Sequence, residues 1–397
     1  MVKLLRPDSD GVSSFPNIVI KKPRLPLRKE VETWVRPPSM SVSRHDLIVC
    51  ACGKQRYPAR DAIDAAIFRG ELEVKWKEFL EAVEAEKRSD ELDVDLDGAA
   101  ISSATEAFRY EYDLITAEET EAWLANRGLT LNDFVDYFAR RCCANGFYEE
   151  IGPVEVEYQC ASPELRELFV TELILSGELD RLTTAFMWRL AARCAEKNLH
   201  PDAVAVAEQK FFDRHEIEPA QLAEWLGKLG RDSEWFNLML VIDASYRTRR
   251  DRLLVPQARQ HELAALRLSL TRFETEIIEL ESRDAAKEAF FCVREDGMSM
   301  EEVAIEGRYP YRRADFILED ISLEAQQKFL CVCSGQVLKP IERGDGFELC
   351  RIVTKIEPRL EDPRVKSRID QRLLDRHFSE LVSKYVERRL GEPFLTP

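Results

Sequence analysis

The chain has 397 residues, 45% hydrophobic and 33% charged, with a formal net charge of −16. Its length calls for about two to four units rather than one compact domain. The acidity argues against nucleic acid, whose binders use basic patches that release counterions, and no run approaches the roughly 20 apolar residues of a membrane-spanning helix.

The first 44 residues contrast with the rest, holding nine Lys or Arg against four Asp or Glu, a net +5 that leaves −21 for the remainder. Pro7, Pro16, Pro23, Pro26, Pro37 and Pro38 punctuate this stretch. Each ring removes a donor and fixes φ, so residues 1–44 are expected as an extended basic arm, either a loose tail or a strap on an acidic surface. Pro7, Asp8 and Asp10 interrupt the start before an apolar run forms, so no secretion signal is read. Ten cysteines, including adjacent Cys142 and Cys143 and the pairs Cys50/Cys52 and Cys331/Cys333, are then expected as reduced thiols in a cytoplasmic protein. Cys-x-Cys lacks the usual zinc-ligand spacing, and neither metal nor other cofactor is expected.

From Asp46 the pattern changes to the apolar run Leu47 to Cys50, a turn at Gly53-Lys54 and a helix start at Pro58 to Asp61. Apolar residues then recur at helical spacing through Phe68, Trp76, Phe79 and Val83, before an acidic linker from Ser89 to Gly98. The acidic stretch Glu81 to Asp97 is expected as a solvated linker, or as a surface for the arm or a basic client.

Two segments share a grammar. FRYEYDLITAEETEAWLANRGLTLNDFVDYF (Phe108 to Phe138) and FFDRHEIEPAQLAEWLGKLGRDSEWFNLML (Phe211 to Leu240) align with Trp123 on Trp225, Leu124 on Leu226 and Phe134 on Phe236. In each, Thr116 or Glu218-Pro219 opens a second helix that closes near a Gly, and Asn132 or Asp232 is the expected N-cap of a third. The tryptophans are buried only if the three helices pack together. Two copies are too few for a solenoid, so the expected body is a pair of related helical bundles. Leu165 to Lys197 reads as two more helices and Val255 to Leu270 as another.

From Leu270 the period shifts. Arg272 to Ile278 alternates like a strand, Arg283 to Val293, Ser299 to Ala304 and Leu323 to Val332 read as helices, and Phe347 to Val353 as a central strand, followed by a long charged helix from Asp362 to Leu390. The fold expected is mainly α with a small α+β module. Its divisions are residues 1–44 (arm), 45–150 and 151–268 (helical domains, one repeat copy each), 269–358 (module) and 359–397 (a C-terminal helix packing back on the helical body).

Residues 285–358, with AAKEAFFCVREDGMSMEEVA and then FLCVCSGQVLKPIERGDGFELCRIVTKIEP, carry Ser334-Gly335-Gln336-Val337, Lys339-Pro340-Ile341 and Gly346-Phe347. This pattern is similar to the parvulin module of peptidyl-prolyl isomerases. Placed behind Trp-Leu helical blocks, it resembles SurA-like foldases and PpiC-related proteins associated with peptide maturation or export. The resemblance implies a pocket for a proline ring over two histidines on neighbouring strands. Here Phe273 and Glu274 stand where the first histidine is expected and Glu348 where the second is, and none of His45, His200, His215, His261 and His377 falls in the module's strands. No catalytic residue is assigned, and the module reads as degenerate.

Phe316, Leu323, Leu330 and Phe347 are the candidate peptide-binding residues, although apolar residues in so small a module also fit plain core. Glu348 is a further candidate, paired with Arg351 or with a basic substrate, and the same residue also fits an idle surface carboxylate. Trp123 and Trp225 read as core rather than as a peptide clamp. The expected function is a peptide-binding chaperone or accessory for maturation or export of a peptide or unfolded client. The expected partners are that client and a modifying enzyme or export machinery. The alternatives are an active prolyl isomerase and a structural adaptor docking on a modifying enzyme or transporter.

Overall fold

The computed structural model describes residues 43–94, 96–147, 156–196, 198–344 and 346–390. The expected basic arm lies outside them except for Ser43 and Arg44. The chain divides into two compact units. One takes in residues up to Leu190, His200–Ile242 and the segment from Tyr385, and the other Ala191–Leu199 and Asp243–Lys384. Among the described residues no helix is long and apolar enough to cross a membrane.

The first unit opens on a hairpin, β1 (Ile48–Cys52) and β2 (Gln55–Pro58), turned by Gly53 at φ 60°. The short strand β7 (Glu387–Arg388) pairs antiparallel with β1, setting Cys50 opposite Arg388 and Ala51 opposite Glu387. Helices α1 (Ala59–Phe68) and α2 (Glu73–Glu91) follow. The acidic stretch expected as a linker is largely the second half of α2. Ser89 is buried there, and Glu86 accepts from Arg140 at 2.8 Å, so helical packing overrides the acidic composition.

Next come α3 (Gly98–Glu111), α4 (Ala117–Ala125), α5 (Leu131–Phe147), α6 (Pro163–Leu175) and α7 (Glu178–Ala195). Helices α8 (Pro201–His215), α9 (Leu222–Leu229) and α10 (Ser233–Leu253) complete the helical sequence. Phe108 meets Trp123 edge-on at 5.3 Å and Phe134 at 5.2 Å, while Phe211 meets Trp225 at 5.0 Å and Phe236 at 4.9 Å in the same way. The turns match as well. Asp113 and Glu216 take φ 56° and 51°, and Gly128 and Gly230 take 66° and 67°; a capping box, Thr116/Glu119, opens α4, and a second, Glu218/Gln221, opens the 3-10 turn Pro219–Gln221 that leads into α9. Asp232 caps α10 by accepting from the Trp235 amide at 2.8 Å. In α5 the cap is Thr130 rather than Asn132, because Thr130 and Asp133 exchange bonds between side chain and backbone.

In the second unit, α11 (Pro256–Ala265) and α15 (Pro363–Tyr385) bury Val365, Ile369 and Leu373 against Leu263, Leu270 and Ile317, and Asp370 accepts two bonds from Arg259 at 2.6 and 2.9 Å. Helix α15 stops at Tyr385, short of the expected Leu390. Between these helices lies the module: β3 (Arg272–Leu280), α12 (Arg283–Arg294), α13 (Met300–Gly307), β4 (Tyr311–Ile317), α14 (Leu323–Leu330), β5 (Ile341–Arg343) and β6 (Gly346–Ile356). Its sheet is antiparallel in the order β4-β3-β6-β5. The expected strand, three helices and strand thus gain two edge strands, β4 and β5. One is too charged and the other too short to declare itself by alternation.

Candidate functional site

Alternation on the four strands gives the sheet two apolar faces. One carries Phe273, Ile277, Cys350 and Ile352 and is covered by Phe329 of α14 and by Leu338. The other carries Ile278, Leu280 and Leu349 and is covered by Ala286, Ala289 and Phe290 of α12 and by Met300 and Val303 of α13. Residues 335–338 run beside β6, with the Gly335 amide donating to Ile352 O at 2.6 Å and the Leu338 amide to Cys350 O at 2.8 Å. Gly346 has a definite steric reason: a Cβ there would lie 2.8 Å from Leu280 O, so a side chain would push β6 off β3.

Where β5 forms the sheet's edge, a cavity of about 770 Å³ opens between α12, α14 and the strand. Phe290, Phe291, Ala325, Pro340, Ile341 and Phe347 supply its apolar lining. Phe290 is buried, but its neighbour Phe291 stays 53% exposed at the rim. A large aromatic left in water beside a concave apolar surface is the sort of feature that marks a binding site. Edge strand β5 pairs with β6 on one side (Ile341 opposite Glu348, Glu342 opposite Phe347) and has no strand on the other among the described residues.

Of the residues singled out in the sequence, Phe347 lines this cavity. Phe316 does not: it stacks on Phe273 at 5.9 Å and meets Phe329 edge-on at 5.0 Å within the opposite face. Leu323 and Leu330 sit at the two ends of α14, 77% and 39% exposed, and line no part of the cavity. Trp225 is buried and Trp123 half-buried, each packed against its own Phe. Phe290 and Phe291 were missed. The available signal was their adjacency on an amphipathic helix, where one of two consecutive aromatics must leave the buried stripe.

Glu348 is held differently from the expectation. Arg312 donates to it at 2.9 Å and Arg343 at 2.8 and 3.0 Å, while Arg312 also reaches Glu279, the residue opposite Glu348 on β3, at 3.1 Å. Arg351 lies on the other face and pairs at 2.6 Å with the buried Glu276, which also accepts from the Tyr311 hydroxyl at 3.0 Å. The pairing Glu348–Arg351 fails because consecutive strand positions alternate, and three residues along β6 reverse the face. Phe273 and Glu274 stand opposite Lys355 and Thr354, far from Glu348. Phe273 is six positions from Glu279, about 20 Å along β3. These positions therefore do not converge on one catalytic centre.

Burial pushes the Cys350 thiol up to about 12, with a smaller contribution from Glu348, and Cys50 likewise to about 12. Both behave as small apolar core groups. No cluster of three or more His, Cys, Asp or Glu placed to hold a metal occurs among the described residues.

No protein-family model matches the chain, and no curated protein matches it. Among solved structures the chain is similar to the peptidylprolyl isomerase PrsA from Bacillus anthracis, at 15% identity over 50% of this chain and 92% of that one, with a TM-score of 0.28. It is also similar to the PrsA isomerase from Bacillus cereus, at 10% identity over 62% and 93%, with a TM-score of 0.31. A SurA-like chaperone from Campylobacter jejuni shares 9% identity over 86% of this chain and 98% of its own, with a TM-score of 0.18. These are distant likenesses to PrsA- and SurA-like folds, and superpositions this loose carry no argument about activity or ligand.

Proposed function

We propose that the α+β module holds an extended segment of another polypeptide at its β5 edge, and that the chain is a peptide-binding chaperone or accessory for the maturation or export of a peptide or unfolded client. The observation that carries this is the exposed Phe291 standing over the apolar cavity beside an edge strand. A client strand adding to β5 would gain backbone hydrogen bonds, and its alternate side chains would enter the hollow formed by Phe290, Phe291 and Phe347. The reading assigns no catalytic residue: the histidines of this chain lie outside β3 to β6, and Glu348 is occupied by two arginines. The two matched three-helix segments are, in this reading, copies of one unit.

The reading is tested by titrating a fluorescein-labelled peptide with alternating apolar residues against the full chain and following anisotropy. Phe291→Asp, an exposed position, is expected to weaken binding at least about tenfold with an unchanged melting temperature, as truncating a central aromatic anchor does. Equal affinity of the two proteins would remove the groove from the account.

A further inference from the structure

The chain as a whole is strongly acidic, but the groove at β5 is not. Arg283, Lys287, Lys328 and Lys339 stand around it against two carboxylates, Glu324 and Glu342. Lys328 is paired with Glu324 at 2.8 Å, and Lys287 with Asp284, outside the lining, at 3.6 Å. Arg283 and Lys339 enter no ion pair among the described residues. Both are exposed.

Arg283 is also badly placed for the fold's own benefit. It is the first residue of α12, behind the Ser282 cap, at the end where the helix dipole disfavours a cation. A positive side chain there has no ion-pair partner among the described residues to offset the dipole, and it shares the groove with Lys339, which has none among them either. It is accounted for if a negative group arrives from outside.

Resting on the peptide-binding reading above, we infer that the client segment is acidic as well as apolar. Its Asp or Glu carboxylates meet Arg283 and Lys339 at the rim, while an apolar or aromatic side chain fills the hollow lined by Phe290, Phe291 and Phe347. The net charge of −21 on residues 45–397 sharpens the selection, because an acidic segment is repelled by that part of the chain and is drawn to this basic rim. A basic client would be attracted almost anywhere on the molecule and could not be directed to this groove by charge.

Three labelled peptides of one length test this, each with the same central aromatic and flanked by Glu, Gln or Lys, titrated against the full chain at low salt and at about 0.5 M salt. The Glu peptide is expected to bind at least about tenfold more tightly than the Gln peptide, with the advantage shrinking at high salt as exposed charges are screened. The double variant Arg283→Glu/Lys339→Glu is expected to lose that preference, binding the Glu peptide no more tightly than the Gln peptide. Equal binding of the Glu and Gln peptides, with no effect of the double variant, overturns the charge inference and leaves peptide binding standing. Preference for the Lys peptide overturns its sign. Failure of all three peptides to bind overturns the reading of the groove itself.

Discussion

Arg231 lies between two carboxylates of α1, donating from Nε to Asp64 at 2.7 Å and from its terminal nitrogen to Asp61 at 2.7 Å, with its guanidinium 5.3 Å from the centre of the Trp235 ring. Burial dominates at Asp64 and pushes its carboxyl up to about 6 from an ordinary 3.8, against the pull of Arg231. Since the folded chain holds that proton more tightly than the unfolded chain, Asp64 favours folding most at pH below the ordinary carboxyl range, and this contribution is lost as pH rises toward about 6. Urea midpoints across pH 4 to 7 should therefore show wild type losing stability relative to Asp64→Asn between about pH 4 and 6. A difference independent of pH would contradict the assigned burial. At this scale the sequence was partly legible: Asp61 marked a helix start, but nothing in the order of residues announced that Arg231, so far along the chain, would reach it. The expected Glu348–Arg351 pair failed for a related reason, since the partners of Glu348 on β4 and β5 are set by strand register and not by proximity in sequence.

Elements were more readable than their partners, because caps, turns and helical periods are local signals. The matched segments around Trp123 and Trp225 show why: their capping residues and turn positions recur together, down to the left-handed Gly128 and Gly230. A Cβ at Gly230 would meet nothing within 4 Å, so Gly230→Ala tests backbone conformation alone. It is expected to destabilise the protein by about 1 kcal/mol in urea unfolding, the ordinary cost of a left-handed residue bearing a side chain. No change would mean that the αL turn is not required there. Strand β4 was missed because Arg312, Arg313 and Asp315 break its apolar alternation, and β7 because two residues carry no period at all. The acidity of residues 81–97 masked the continuation of α2 to Glu91, where Ala82, Ala85 and Ser89 are buried.

For the whole molecule, the mainly helical architecture with a small antiparallel module was legible from the shift of period near Leu270. The groove was not. Its lining comes from α12, α14 and the segment around β5, brought together by the order β4-β3-β6-β5, and its exposed aromatic belongs to a helix that looked like ordinary core packing. The motif Lys339-Pro340-Ile341, read in the sequence only as a family pattern, lies in the wall of this cavity. The central claim is that this edge is where another polypeptide binds. Amide hydrogen exchange of the full chain, with and without a saturating acidic-apolar peptide, tests it most directly. The account predicts slowed exchange in segments 283–291, 322–328 and 339–347, with the helical unit unchanged. Protection confined to the helical unit, or no protection while the peptide is bound, would contradict it.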